Sequence, residues 1–207
     1  MRASPVIPAA LAAAAVLAAC TGPAVVTTDE RGPAASASPA APPPPPLNNT
    51  NLVNAFYFGA PVDGFTQYFF TTPSGRWDCA IVPRVQAGCQ AADGAALGID
   101  GAPETVTDAA GEEADPNAIV VGRDGEPAFV ALEEASFTPG TAPANVIKFN
   151  QVLAVAGFRC NVQEATGVSC LSERSGRGFT FSADGYTPQY IEVPAGAPVA
   201  PPTSTTR

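Results

Sequence analysis

Gly157-Phe158-Arg159-Cys160-Asn161-Val162-Gln163-Glu164-Ala165-Thr166-Gly167-Val168-Ser169-Cys170-Leu171-Ser172 is the stretch that decides the fold. Folded back on itself about Ala165, it sets Cys160 opposite Cys170, Val162 opposite Val168 and Phe158 opposite Ser172. Side chains alternate along a strand, so Phe158, Cys160, Val162, Val168 and Cys170 share one face. The residues between are polar, and Gly167 supplies the positive φ that a tight turn requires. The same aromatic-x-Cys-x9-Cys unit occurs earlier as Trp77, Cys79 and Cys89. Folded about Arg84, it places Ile81 and Ala87 on the face that carries those three residues.

Directly opposed residues of an antiparallel pair have Cα atoms about 4.5–5.5 Å apart. A disulfide bridges that gap. Four cysteines permit three connectivities: 79–89 with 160–170, 79–160 with 89–170, and 79–170 with 89–160. The opposed positions favour the first. Chain entropy mildly opposes it, because the crossed pairings close longer loops and gain about 1 kcal/mol more per bridge. The expected fold is all-β or mostly β: a small, disulfide-braced antiparallel domain with two Cys-x9-Cys hairpins.

The chain has 207 residues and a net charge of −9, with no histidine. An acidic balance argues against a nucleic-acid partner, which needs a basic footprint. Absence of histidine removes Ser-His-Asp and Cys-His catalysis, imidazole metal sites and histidine pH switching.

Residues 1–20 read as a signal peptide. Arg2 forms a minimal positive region, and the apolar run of Ala9 to Ala19 is too short to span a bilayer. It ends Leu17-Ala18-Ala19-Cys20, which resembles the bacterial lipobox. That motif implies a lipidated Cys20 as the mature N-terminus, palmitate among its acyl chains. Such an anchor holds a protein on the extracytoplasmic face of the cell membrane without a transmembrane helix. Residues 21–48, rich in Pro, Ala and Thr and ending in the run Pro42 to Pro46, read as a disordered tether. At ~3.1 Å per residue in extended form, it reaches roughly 80 Å. Residues 49–193 are expected to form the single β-rich domain, and 194–207 a disordered Pro/Thr tail.

Within the domain, eight of the sixteen aromatics fall between Phe56 and Trp77. Core packing is the expected role of that cluster, with a sugar or lipid platform as its functional rival. Thr72-Pro73-Ser74-Gly75 has the Pro and Gly placement of a type I turn between strands at Tyr68–Thr72 and Arg76–Val82. Residues 91–135 hold eleven acidic residues against one basic, Arg123. The part over 91–118 reads as a solvated acidic loop. No segment of it has the Asp-x-Asp-x-Asp-Gly spacing of a calcium loop, so no metal or other cofactor is expected. Arg123-Asp124-Gly125 marks the turn of a hairpin between Ile119–Val121 and Ala128–Leu132. The apolar runs over 144–156 suit strands or one helix, and their β-branched content favours strands. Gly176 to Ser182 is expected to be the closing strand.

These motifs resemble a family of secreted and lipid-anchored proteins of high-GC Gram-positive bacteria. Its members carry Ser-Pro-Ser-Gly-Asn-Ile-x-Cys early, matched here by Thr72-Pro73-Ser74-Gly75-Arg76-Trp77-Asp78-Cys79. Late, they carry Gly-Phe-x-Cys, Gly-x-x-Cys and Gly-His-Gly-Phe-x-x-Ser. The counterparts here are Gly157 to Cys160, Gly167 to Cys170, and Gly176 to Ser182. Arg177 stands where the family has His. A Trp-containing segment and a further Cys pair have no counterpart, and two cysteines lost together imply a pair bonded to each other. The resemblance implies fold and location, not chemistry.

No nucleophile constellation is present: no Gly-x-Ser-x-Gly, no Ser-x-x-Lys and no Cys-x-x-Cys. Adjacent carboxylates such as Glu112-Glu113 or Glu133-Glu134 point to opposite faces of a strand. No catalytic residue is named on these grounds. The expected function is a cell-surface lipoprotein acting as a ligand-binding or interaction module of the envelope. The alternatives are a hydrolase using carboxylates from distant positions, and a lipid or glycolipid carrier with a large apolar cavity.

Overall fold

The computed structural model describes residues 47, 49–140 and 142–199. Cys20, the signal peptide, all of the tether but Leu47, and the last residues of the tail lie outside the described residues.

A short 3-10 turn at Ala55–Phe58 leads into β1 (Gly59–Val62), β2 (Phe65–Thr71), β3 (Trp77–Val82) and β4 (Gln86–Ala91). A small separate hairpin follows, β5 (Val106–Thr107) with β6 (Glu113–Ala114). β7 (Ala118–Gly122) then pairs with β4, and β8 (Pro127–Val130) pairs with β7. β9 (Asn145–Val146) lies parallel to β2 at Phe70–Thr71, beyond the reach of β1. The second sheet is a plain meander of β10 (Val152–Val155), β11 (Phe158–Gln163), β12 (Gly167–Ser172), β13 (Gly178–Phe181) and β14 (Tyr186–Thr187). The two sheets share a design. In each, a cysteine hairpin forms the middle of a four-stranded antiparallel run, β2-β3-β4-β7 and β10-β11-β12-β13.

The register follows the cysteines. Cys79 opposes Cys89 and Ile81 opposes Ala87, symmetric about Arg84. Cys160 opposes Cys170, Val162 opposes Val168 and Phe158 opposes Ser172, symmetric about Ala165. Each hairpin is closed on itself by its own disulfide, Cys79–Cys89 and Cys160–Cys170, with Cα separations of 4.0 and 4.1 Å. The segment over 144–156 is extended, as its β-branched residues require, in two short strands with a turn between.

Both disulfides point into one core between the sheets. Phe70, Ile81 and Ile119 come from the first sheet, and Leu153, Phe158, Phe179 and Phe181 from the second. The Trp77 ring meets the edge of Phe181 across the layers, centroids 4.9 Å apart. Four phenylalanines, 70, 158, 179 and 181, are fully buried. Together they contribute roughly 6–12 kcal/mol of transfer free energy. The loop over 91–118 is less solvated than its acidity suggests. Leu97 and Ile99 enter the core, because apolar side chains inside a polar segment still gain from leaving water.

The outer face of the first sheet is covered by residues from 131–140 and 142–144. Phe137 is buried against Phe69, Ala80 and Val120. Gln90 donates to the Glu133 carbonyl (2.8 Å), and the Asn117 side chain both donates to and accepts from the Leu132 backbone (2.9 Å each). Asp78 lies on this face, beside Thr71. Burial holds its carboxyl above the ordinary aspartate value, partly offset by a hydrogen bond with Thr71. The folded carboxyl therefore holds its proton more tightly than the unfolded one. Its stabilising contribution is complete below the unfolded value and is lost as pH rises through the folded value. Asp78→Asn is expected to raise the melting temperature at about pH 7, with the gain shrinking below about pH 4. Melting curves of both proteins across pH test this; a gain that grows in acid contradicts it.

The outer face of the second sheet is polar yet buried. Asn161 and Ser169 are fully enclosed, and Arg159, Gln163 and Thr180 nearly so. A strap over 189–193 covers them and supplies the hydrogen bonds that buried polar groups need. Asn161 and Gln163 donate to the Ile191 carbonyl (3.0 and 3.1 Å). Thr180 donates to the Gln189 carbonyl (2.7 Å) and accepts from Ile191 N–H (3.1 Å). Arg159 bonds Asn49 (2.8 Å) and pairs with Glu173 (3.5 Å). Burial in this layer pushes the Tyr190 phenol well above its ordinary value. The structured chain also runs past 193, since Asn51 and Asn150 donate to the carbonyls of Ala197 and Pro198.

Candidate binding clefts

The residues singled out in the sequence fall into three groups. Cys79, Cys89, Cys160 and Cys170 are disulfide-bonded and fully buried, so their role is structural. Cys20 lies outside the described residues. The aromatic cluster divides. Phe58, Phe69, Phe70 and Trp77 are core, whereas Phe56, Tyr57 and Phe65 are 81%, 66% and 75% exposed. Phe56, Pro61 and Tyr68 line a groove of about 290 Å³.

A cleft of about 540 Å³ opens at one edge of the second sheet. Its walls come from three places distant in sequence. Asp100 and Gly101 sit on the loop after β4, in a turn closed by Ala102 N–H to the Ile99 carbonyl (3.2 Å). Thr166 comes from the turn between β11 and β12. Asp184, Gly185, Tyr186 and Thr187 come from the turn into β14 and from that strand. The loops abut. A Cβ on Gly185 would lie 3.6 Å from that of Asp100, and one on Gly101 would touch Tyr186 at 3.8 Å. Asp184 N–H donates to the Ser182 hydroxyl (3.1 Å), and Ser182 N–H to the Gly185 carbonyl (2.9 Å), which fixes the rim.

Tyr186 stacks obliquely on Phe129 of the first sheet, centroids 4.7 Å apart. Burial, with the Glu126 carboxylate as a lesser contributor, raises its phenol above the usual tyrosine range. The Thr166 hydroxyl is buried in the cleft wall and makes no hydrogen bond within the protein. An unmatched buried hydroxyl costs about 1–3 kcal/mol. The cleft thus offers two carboxylates as acceptors, hydroxyls as donors and acceptors, and an aromatic ring.

Neither aspartate was legible as a site residue in the sequence. The one local signal is that both precede glycine, Asp100-Gly101 and Asp184-Gly185, which marks turns rather than chemistry. Among the described residues no three or more Cys, Asp or Glu gather as metal ligands would. No described helix is long and apolar enough to cross a membrane.

Fold and clefts together define a class: a two-sheet antiparallel β domain, braced by one disulfide in each sheet, with open clefts at its loops. Comparison with protein-family models, with curated proteins and with solved structures gives no match to the chain.

Proposed function

We propose that the protein is a lipid-anchored, extracytoplasmic binding module of the cell envelope. In this reading the cleft between Asp100 and Asp184 takes a polyhydroxylated ligand, such as an envelope glycan. The observation that carries the ligand class is the cleft lining: acceptor carboxylates, hydroxyls and an aromatic ring. Sugars present alternating donors and acceptors with apolar ring faces, and such a lining meets both. The address rests on the lipobox at Cys20, on the resemblance of the cysteine motifs to a lipid-anchored family, and on disulfides, which persist in oxidising exteriors.

Two carboxylates on one cleft also favour a second reading, glycoside hydrolysis. Calorimetric titration with envelope glycan fragments, run beside an assay for released reducing ends, separates the two. Binding without turnover, weakened about tenfold or more by Asp184→Asn and by Asp100→Asn, is the expected result. Turnover that either substitution abolishes would assign the hydrolase. For the address, Cys20→Ala is expected to move the protein out of the membrane fraction. Wild-type protein in the aqueous phase of a detergent partition would contradict the anchor.

A further inference from the structure

The other end of β11 carries a feature of opposite charge. Four turns meet there: 83–85, 123–126, 156–157 and 173–177. Backbone and hydroxyl hydrogen bonds lock them together. Arg84 N–H donates to the Ala156 carbonyl (3.3 Å), Arg123 N–H to Val85 (3.0 Å), and Glu173 N–H to Gly157 (3.0 Å). The Ser172 hydroxyl donates to the Arg123 carbonyl (2.6 Å). Between the turns lies a cleft of about 410 Å³ lined by Arg84, Arg123, Arg174, Ala156, Gly157 and Phe158. The space above Gly157 is open, since a Cβ there would meet nothing within 4 Å.

Three guanidinium groups on one cleft are out of keeping with a chain of net charge −9. Some of that charge is matched. Arg174 pairs with Asp124, and the neighbouring Arg177 pairs with Glu126. Among the described residues, neither Arg84 nor Arg123 has a carboxylate within ion-pair distance. Arg84 and Arg123 thus make no direct ion pair there, although Asp124, Glu126 and Glu173 stand on the same turns. The backbone at Arg84 has φ of 61°, a region where glycine is least strained, yet a guanidinium stands there.

We propose that this cleft is a phosphate-binding site, with Arg84 and Arg123 as the principal ligands of a phosphate group and Arg174 at its border. Guanidinium forks match the oxygens of phosphate in pairs, and two of them balance a dianion. The turns are braced to one another, so the arginines spring from fixed backbone. The site is independent of the Asp100–Asp184 cleft, which lies at the far end of β11. The phosphate comes from a soluble ester or from a lipid headgroup, and the chemistry is common to both.

The test is a titration of the isotope-labelled full chain, followed by amide shifts, with three probes: inorganic phosphate, acetate at matched ionic strength, and phosphatidylglycerol vesicles. Arg84→Gly and Arg123→Ser serve as variants. Arg84→Gly suits the backbone angle and is expected to keep or raise the melting temperature. Phosphate should give saturable shifts at Arg84, Val85, Arg123 and Gly157, weakened about tenfold or more in each variant. Vesicle binding abolished by both variants, without a response to soluble phosphate, assigns the group to a lipid headgroup. An equal response to acetate, a phosphate response unchanged in both variants, or no response to phosphate in either form overturns the proposal.

Discussion

Gly167→Ala should lower the melting temperature by roughly 6–12 °C, the consequence of a loss of about 3 kcal/mol in a domain of this size. Two effects add. The residue sits at φ 88°, where an L side chain is strained by about 1–2 kcal/mol. A Cβ there would also lie 2.1 Å from the Phe181 carbonyl oxygen, and that oxygen belongs to β13, pinned in the ladder beside β12. Overpacking against immobile backbone costs about 1–3 kcal/mol. Gly64→Ala is the control. Its φ is 81°, but its Cβ would meet nothing within 4 Å. It should show the strain without the clash, and so a clearly smaller drop. Equal drops in the two variants would mean that the close approach of β13 to the turn is wrong.

Removing the disulfides should have the other large effect. Each bridge closes a loop with a sequence separation of 10. In the chain-entropy model each is worth about 3 kcal/mol. Cys160→Ala with Cys170→Ala should cost at least that, since both cysteines are also part of the buried core that holds Phe158 and Phe179. Removal of both bridges takes away about 6 kcal/mol, comparable with the whole stability of a typical domain, and should leave a largely unfolded chain. Because all four sulfurs are enclosed, reductant should act slowly on the native protein and quickly in denaturant. Circular dichroism of the two cysteine variants, with thiol release followed in parallel, checks both statements. A bridge-free chain that melts like the parent would show that the core carries the fold alone.

The hairpins were legible in the sequence because a disulfide fixes register. Once Cys79 faces Cys89 and Cys160 faces Cys170, every side chain on those four strands is assigned a face. What covers each face was not legible. Alternation marks Arg159, Asn161 and Gln163 as the polar side of β11. Only the return of 189–193 from the chain's end shows that this side is buried. The aromatic cluster failed to resolve for a local reason. Phe56, Tyr57 and Phe58 lie on a 3-10 turn, which has neither the strand nor the helix period. The clefts are the least legible feature. Asp100 and Asp184, like Arg84, Arg123 and Arg174, stand on loops that sequence marks as turns. Their convergence is a property of the two sheets packing, not of any one segment.

Two hairpins, each closed on itself by its own disulfide, face each other across one core. Non-reducing peptide mapping tests that most directly. The expected map links Cys79 only to Cys89 and Cys160 only to Cys170. A peptide joining Cys79 to Cys160 or Cys170 would show that the sheets are cross-stapled, and would contradict both the register and the clefts built on it.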